Sequence, residues 1–221
     1  PITLAEFELQ DQAWEINLRA AQLAREVADE LATEDRPRFV LGSIGPGTKL
    51  PSLGHAGYDE MEAALTLQAN ALVEGGVDGL LIETCQDPLQ IKAAVNGAKA
   101  ARKTAGWPVP ILVQVTVETT GTLLVGADIA AAATVLDALD VDMMGLNCAT
   151  GPKEMAEHVR WLTENVARPI SVQPNAGLPE LVNGQTSYPL APADLALWLK
   201  RFVSEAGVNL IGGCCGTSID H

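Results

Sequence analysis

Basic residues are scarce in this sequence. Its 14 Lys and Arg are outnumbered by 28 Asp and Glu, so the formal net charge is -14. A chain with that charge repels phosphate backbones and anionic membrane surfaces. We therefore expect no nucleic-acid partner and no attachment to a membrane surface.

Long hydrophobic runs and abundant cysteines are also missing. The apolar stretches have the length of a strand, whereas a membrane-spanning helix needs about 20 apolar residues. The first ten residues, PITLAEFELQ, lack the basic start and apolar core of an export signal. Four cysteines in 221 residues are too few for a disulfide scaffold. These absences predict a cytoplasmic protein with reduced or metal-bound thiols.

The sequence does contain a regular alternation of helix and strand patterns. Residues 3 to about 32 carry Ile16, Leu23, Val27 and Leu31 at helical spacing, which predicts a long amphipathic helix. Six apolar runs follow, and each leads through a polar or glycine-containing loop toward a helical pattern. They begin near residues 38, 78, 109, 141, 169 and 209. Successive runs are thus about one strand, loop and helix apart.

This alternation predicts an α/β fold with a parallel sheet, in one domain covering residues 1–221. A doubly wound open sheet and a (β/α)8 barrel of the TIM type are both built this way. No Gly-x-Gly-x-x-Gly opens a helix after a strand, which favours the barrel. About six of eight strand-helix units are visible and the chain does not begin with Met. We therefore expect two units to be missing from the front.

Polar residues and cysteines follow the predicted strands. In a barrel of this type the chemistry lies at the carboxyl ends of the strands. The residues at these ends are Gly45, Pro46, Glu83, Thr84, Glu118, Asn147, Cys148, Pro174, Asn175, Cys214 and Cys215. The fourth cysteine, Cys85, comes soon after Glu83 and could also lie near the rim.

The adjacent Cys214 and Cys215 stand between glycines in NLIGGCCGTS. Zinc binds thiolates tetrahedrally, and barrel closure could bring Cys148 to this pair. Successive strand side chains point to opposite faces, but Gly212, Gly213 and Gly216 could relax that constraint through backbone conformations closed to other residues. Buried core thiols explain the spacing equally well, and a strained vicinal disulfide is a third reading.

Five stretches of the chain resemble the homocysteine S-methyltransferase family. They follow the family's order from near residue 40 to the end: VLGSIGPGTKLPSLGH, GVDGLLIETCQDPLQIKAAV, GLNCATGPKEM, QPNAGLPE and LIGGCCGTS. GLNC followed about 65 residues later by GGCCGT is specific to the family. Within it, the CATGP and PNAGLP forms look more like the homocysteine-binding modules of cobalamin-dependent methionine synthases than like the betaine-dependent branch.

The resemblance implies a fold and a set of site residues. The fold is a (β/α)8 barrel, of which this chain would start in the helix after the second strand. Zinc would be held by Cys148, Cys214 and Cys215, which would also carry the catalysis. The substrate-binding residues would be Glu83, Asn147 and Asn175. Glu83 would pair with the ammonium group of homocysteine, Asn175 would occupy or line the fourth coordination position, and Asn147 would mainly orient the loop.

The implied reaction is methyl transfer from methylcobalamin to the thiolate of homocysteine, which gives methionine. Cobalamin and methyltetrahydrofolate would be bound by other domains of the full enzyme, and these domains would be partners of this one. A homocysteine methyltransferase that uses betaine or S-methylmethionine shares the cysteine triad and is one alternative. A non-catalytic zinc-binding barrel fragment is another, and the absence of the first two strands favours it.

Overall fold

The computed structural model describes all residues from 1 to 221 and shows an α/β fold. The helices are α1 (Ile2–Ala5), α2 (Ala13–Leu31), α3 (Tyr58–Glu74), α4 (Pro88–Ala105), α5 (Ile129–Ala138), α6 (Pro152–Asn165) and α7 (Pro192–Ser204). The strands are β1 (Leu41–Ile44), β2 (Gly79–Cys85), β3 (Ile111–Val115), β4 (Met143–Asn147), β5 (Ile170–Gln173), β6 (Glu180–Val182), β7 (Gln185–Ser187) and β8 (Leu210–Ile211). No helix is both long and apolar enough to cross a membrane.

The main sheet confirms the predicted fold class. Its six strands run in the order β1-β2-β3-β4-β5-β8, and each starts within about three residues of a predicted run. The pairs β1 with β2, β4 with β5, and β5 with β8 are parallel. Strand order follows chain order with no reversal. A doubly wound sheet reverses its order at a switch point, so this topology is that of successive barrel units.

The chain divides into two compact units. The first comprises Pro1–Glu83 and Asp87–Leu112, and the second comprises Thr84–Gln86 and Val113–His221. Strands β1 and β2 pair in the first unit, from Leu41 opposite Gly79 to Ile44 opposite Ile82. Strands β4, β5 and β8 pair in the second.

The first long helix differs from the prediction in its start. It begins at Ala13 rather than near residue 3, because Ile2–Ala5 forms a separate short helix. Glu8 has a φ of 58°. The amide of Leu9 donates to the carbonyl of Leu4, and this hydrogen bond closes the turn that contains Glu8. A left-handed residue closed by such a bond is a helix stop.

The apolar face of α2 lies mostly at the surface. Ile16, Leu23, Val27 and Leu31 are 41% to 58% exposed, whereas only Ala13 and Ala21 are buried. The contact with α3 runs through small residues, since a Cβ at Gly75 would crowd the Cβ of Ala21 and the carbonyl of Leu18. Side-chain periodicity thus predicted the helix but not the face that it buries.

Proline and aspartate fix where the other helices start. Proline is the first residue of α4, α6 and α7, where its fixed φ suits a helix and its missing N–H is not needed. Asp87 accepts from the amide of Leu89, and Asp128 accepts from the amide of Ala131. These local signals set the lengths of the loops that leave the strands.

A two-stranded hairpin between β5 and α7 was not predicted. Strands β6 and β7 pair antiparallel around Asn183 and Gly184, which have φ values of 52° and 78°. Positive φ at both turn residues is the reason that Asn-Gly favours two-residue hairpins. The Asn-Gly dipeptide therefore indicated a hairpin turn in the sequence, although the strands have only three residues each.

Candidate metal centre

Three of the four cysteines meet in the second unit. Cys148 follows β4 directly, and Cys214 and Cys215 lie beyond β8. Their Sγ atoms all lie within 4.8 Å of one another. The Sγ of Cys215 is 3.8 Å from that of Cys148 and 3.9 Å from that of Cys214. Cys85, at the buried end of β2, is not part of this cluster.

Two of the sulfur–sulfur distances match those of ligands around a single tetrahedral metal ion. A Zn–S bond of about 2.3 Å and tetrahedral angles place two sulfur ligands about 3.8 Å apart. A disulfide needs sulfurs about 2.05 Å apart, so the vicinal disulfide considered for Cys214 and Cys215 is not formed. Cys148 and Cys214 are half-buried and Cys215 is exposed, which contradicts the reading of all three as buried core thiols.

The adjacent cysteines share one side because they do not lie in a strand. Strand β8 ends at Ile211, and the pair enters a turn in which both the amide and the hydroxyl of Thr217 donate to the carbonyl of Cys214. The amide of Cys214 donates to Pro174 over 2.8 Å, and the carbonyl of Cys215 accepts from Ala176 over 2.9 Å. The alternation of strand side chains therefore does not constrain the pair.

The glycines around the pair act differently from the prediction. Only Gly216 has a positive φ, of 79°, while Gly212 and Gly213 do not. A Cβ at Gly212 would crowd the side chain of Gln173, and one at Gly213 would overlap Thr217. The expectation that all three relax the backbone was therefore wrong for two of them, where glycine instead leaves room for a neighbouring side chain.

Cys148 has an unusual backbone conformation. Its φ is 63° and that of Ala149 is 57°, although neither residue is glycine. The amide of Thr150 donates to the carbonyl of Cys148 over 2.7 Å, which closes this tight turn. Such conformations cost about 1 to 3 kcal/mol per residue and concentrate at functional sites. This strain supports a functional role for the turn.

Asn147 supports the cluster from the buried end of β4. Its Nδ2 donates to Thr84 Oγ1, its Oδ1 accepts from the amide of Thr84, and both distances are 2.8 Å. Nδ2 also lies 3.8 Å from the Sγ of Cys214. Its carbonyl accepts from the hydroxyl of Thr116. With its side chain engaged in these bonds, Asn147 is suited to orienting the loop, as the resemblance implied.

Asn175 is buried beside the same sulfurs. Its Oδ1 accepts from the amide of Cys215 over 3.1 Å, and the side chain also helps to lower the pKa of Cys148. Its own amide donates to Thr150. The residue thus connects both cysteine-bearing turns, and its role at a fourth coordination position stays a prediction.

Glu83 and Glu118, the predicted carboxylates, have polar partners within their own units. In the first unit, Glu83 accepts from the hydroxyl of Ser43, and in the second, Glu118 accepts from Nε2 of Gln86. Both carboxylates are half-buried. A pairing of Glu83 with substrate stays a prediction.

The thiols of Cys148 and Cys214 do not ionise independently. A hydrogen bond from Cys214 lowers the pKa of Cys148 to about 6, with further help from the Ala149 amide, Cys215 and Asn175. The same bond, burial and the neighbouring sulfur charges raise the pKa of Cys214. Cys148 therefore forms a thiolate readily, whereas Cys214 resists ionisation. A bound cation would remove that resistance, because it compensates the added negative charge.

Tyr188 is a neighbour of the cluster that sequence reasoning missed. It follows β7, and its pKa is raised by burial and by the charge and hydrogen bonding of Cys215. Only the hairpin brings this residue to the cysteines, which its position in the sequence did not indicate. Thr84 and Thr116 were likewise not assigned roles, although both hold Asn147.

Comparisons with known proteins agree with this fold and show the family. The homocysteine S-methyltransferase family profile matches residues 1–221. The chain is 51% identical over 218 residues to methionine synthase of Mycobacterium leprae and 50% identical to that of Mycobacterium tuberculosis. Each alignment covers 99% of this chain and 18% of the relative, so the chain spans about a fifth of these relatives.

Solved structures share the fold at lower sequence identity. The metallated form of the homocysteine methyltransferase MmuM from Escherichia coli matches with a TM-score of 0.75 and 21% identity, over 99% of this chain and 72% of that one. Its apo form matches with a TM-score of 0.70 and 22% identity, over 95% and 71% of the two chains. The chain belongs to the homocysteine S-methyltransferase family, whose members are methyltransferases. The predicted resemblance is thereby confirmed.

Proposed function

We propose that this chain is the zinc-dependent, homocysteine-activating module of a methionine synthase. The observation that carries the proposal is the cluster of three sulfurs within 4.8 Å of one another, with two of the distances suited to ligands of one tetrahedral ion. The likeness at about 50% identity to two methionine synthases supports the choice of enzyme. A metallated relative with the same fold supports a metal at such a site.

The chain's own residues would prepare the substrate sulfur for reaction. A free thiol with a pKa near 8.5 is mostly protonated at neutral pH. Zinc bound by Cys148, Cys214 and Cys215 would supply a Lewis acid that holds the homocysteine sulfur as its thiolate. Three cysteine thiolates donate more negative charge than histidines would and so preserve the nucleophilic character of a fourth sulfur. Asn147 and Asn175 hold the cysteine-bearing turns in place.

The methyl donor proposed for this module is methylcobalamin, recharged by methyltetrahydrofolate. Both would bind to other domains of a longer enzyme, because this chain covers 18% of the methionine synthases that it resembles. Direct donors such as betaine or S-methylmethionine are the alternative. Sequence identity favours the first choice, since the homocysteine methyltransferase structures are only 21% to 22% identical to this chain. Reduced ligand thiols also favour a reducing compartment such as the cytoplasm.

Homocysteine is expected to release about one proton per chain when it binds to the zinc-loaded protein at pH 7.5. The reason is that its thiol, mostly protonated in solution, becomes a thiolate at the site. The measurement combines zinc analysis with calorimetric titration in buffers of different ionisation enthalpy. Homoserine, which has a hydroxyl in place of the thiol, is the matched ligand and should release none. Zinc-loaded protein that binds homocysteine without releasing a proton would contradict the proposal and favour a non-catalytic fragment.

Glu83→Gln is expected to weaken homocysteine binding at least about tenfold without changing zinc content. A carboxylate that pairs with an ammonium group contributes about 1.5 to 3 kcal/mol, and the amide loses the charge. The measurement is the Kd of the zinc-loaded protein. Glu118→Gln is the matched control, because it neutralises another half-buried carboxylate that accepts from a polar side chain.

A second ligand makes the test of Glu83 specific. 4-Mercaptobutanoate has the thiol and carboxylate of homocysteine but no ammonium group, so Glu83→Gln should not weaken its binding. Equal homocysteine affinities for the Glu83→Gln variant and the unsubstituted chain would show that Glu83 takes no part in binding the substrate.

A further inference from the structure

The backbone turns sharply at Thr84, the penultimate residue of β2. Its φ is 60°, and a left-handed conformation is exceptional for a β-branched residue. Such conformations persist only where the surrounding structure holds them, and they concentrate at functional sites. Thr84 belongs to the second unit, as do the three clustered cysteines. The contacts that hold Thr84 in this conformation are therefore candidates for a function.

Thr84 holds the side chain of Asn147 with two polar groups. The Thr84 amide donates to Oδ1 of Asn147, and the Thr84 hydroxyl accepts from Nδ2, both over 2.8 Å. In a regular strand the amide lies in the plane of the sheet, whereas the side chain stands perpendicular to it. The left-handed backbone of Thr84 allows both groups to reach the same side-chain amide.

These two hydrogen bonds decide which way round the side-chain amide of Asn147 lies. A backbone N–H can only donate, so the atom that faces it is the oxygen and not the nitrogen. The hydroxyl of Thr116 also lies 3.4 Å from Oδ1. The nitrogen consequently lies beside the Thr84 hydroxyl and the sulfur of Cys214. Asn147 therefore presents hydrogens to that sulfur.

Nδ2 of Asn147 carries two hydrogens, and each has an acceptor. One is donated to the Thr84 hydroxyl, and the other to the Sγ of Cys214 over 3.8 Å, a length that suits the large sulfur atom. Asn147 is fully buried, so bulk water does not reach these hydrogens. Its main chain is held separately, since its carbonyl accepts from the hydroxyl of Thr116. Whatever orients the side-chain amide thus controls a hydrogen bond to a proposed zinc ligand.

We propose that Thr84 is a positioning residue of the metal centre, which acts through Asn147 to direct a hydrogen bond at the Sγ of Cys214. This inference rests on the proposed metal site and adds to it a residue with a defined action. A donated hydrogen bond stabilises negative charge on sulfur, which favours the thiolate that binds metal. It also draws electron density from that sulfur, which limits charge donation to the ion. Partners of metal ligands affect metal affinity by about 10- to 100-fold.

Thr84→Val tests the hydroxyl separately from the shape of the side chain. Valine keeps the β-branch and the backbone amide but cannot accept from Nδ2, so the side-chain amide of Asn147 is held less firmly. We expect the Kd for zinc, measured by competition with a chromophoric chelator, to rise about tenfold. In the cobalt-substituted protein we expect the sulfur-to-cobalt charge-transfer band to move to longer wavelength, because a sulfur with a weaker hydrogen bond gives up an electron at lower energy. Thr84→Ser keeps the hydroxyl and should match the unsubstituted chain in both measurements.

Asn147→Asp removes the donor itself. Aspartate has the shape of asparagine and still accepts from the Thr84 amide, but when ionised it has no hydrogen to donate. The cobalt band should move in the same direction as in Thr84→Val and at least as far. Thr134→Val is the control, because the hydroxyl of Thr134 donates to the carbonyl of Ala130 within α5. This variant should change neither the zinc affinity nor the band, and the circular dichroism spectra of all variants should match that of the unsubstituted chain.

The outcomes separate the two proposals. If the unsubstituted chain binds neither zinc nor cobalt, the proposed function itself fails. If the unsubstituted chain binds cobalt and Thr84→Val leaves the band in place, the action of Thr84 is overturned, whatever the zinc affinity does. An unmoved band in Asn147→Asp overturns it in any case, since the effect then does not pass through Asn147. Equal band shifts in Thr84→Val and Thr84→Ser would overturn the role of the hydroxyl.

Discussion

Replacing Cys214 with serine is expected to reduce zinc from about one ion per chain to almost none after dialysis against a mild chelator. The variant leaves two sulfurs, and a serine hydroxyl stays protonated and is a poor ligand for zinc. The fold should be unchanged, because the turn is held by backbone groups of residue 214 that bond to Pro174 and Thr217. Elemental analysis and circular dichroism measure the two effects.

The fourth cysteine supplies the control for this experiment. Cys85 is buried at the end of β2 and lies outside the sulfur cluster. Cys85→Ala should cost some stability by leaving a small cavity but should retain its zinc. A Cys214→Ser protein that still carries one zinc per chain would refute the assignment of the metal site.

Gly145→Ala is expected to lower the free energy of unfolding by about 3 kcal/mol or more. Gly145 lies opposite Ser171 in the pairing of β4 with β5, and a Cβ there would overlap the carbonyl oxygen and the hydroxyl of Ser171. The atom nearest to the added Cβ belongs to the backbone of Ser171 and not to a flexible side chain, so the strands would have to separate. Chemical denaturation followed by circular dichroism measures the loss. Cys148 follows this strand, so zinc binding should weaken as well.

Gly45→Ala provides the comparison for this second variant. Gly45 is exposed, has no positive φ, and a Cβ there would meet no atom within 4 Å. Its unfolding free energy should stay within about 0.5 kcal/mol or rise slightly, since alanine restricts the unfolded chain. Equal denaturation midpoints for Gly145→Ala and the unsubstituted chain would show that β4 and β5 can adjust, contrary to this expectation.

Much of the fold could be predicted because it depends on local patterns. Six apolar runs at regular spacing located the six strands of the main sheet to within about three residues. The start of α2 could not be found this way, because helical spacing continues through residues 3 to 12 while a left-handed Glu8 stops the first helix. The exposure of the apolar face of α2 could not be predicted either, since burial depends on which other elements lie beside the helix.

The candidate site was predicted through residue types and less well through their conformations. The cysteines at 148, 214 and 215 were singled out because they follow strands whose ends meet in a parallel sheet. The roles of Gly212 and Gly213 were misjudged, since their need for glycine comes from the side chains of Gln173 and Thr217. The Asn-Gly turn at 183 could have revealed the hairpin, but nothing local indicated where Tyr188 would lie.

The sequence by itself determined the alternation of strands and helices, the family and the three candidate sulfur ligands, because each follows from short patterns and residue chemistry. Only the tertiary structure decided that three sulfurs separated by up to 67 residues lie within 4.8 Å of one another. It also decided that Asn147 and Asn175 lie beside them. The physical reason is that hydrogen bonds and close contacts between distant segments depend on how the chain packs, which no local pattern specifies.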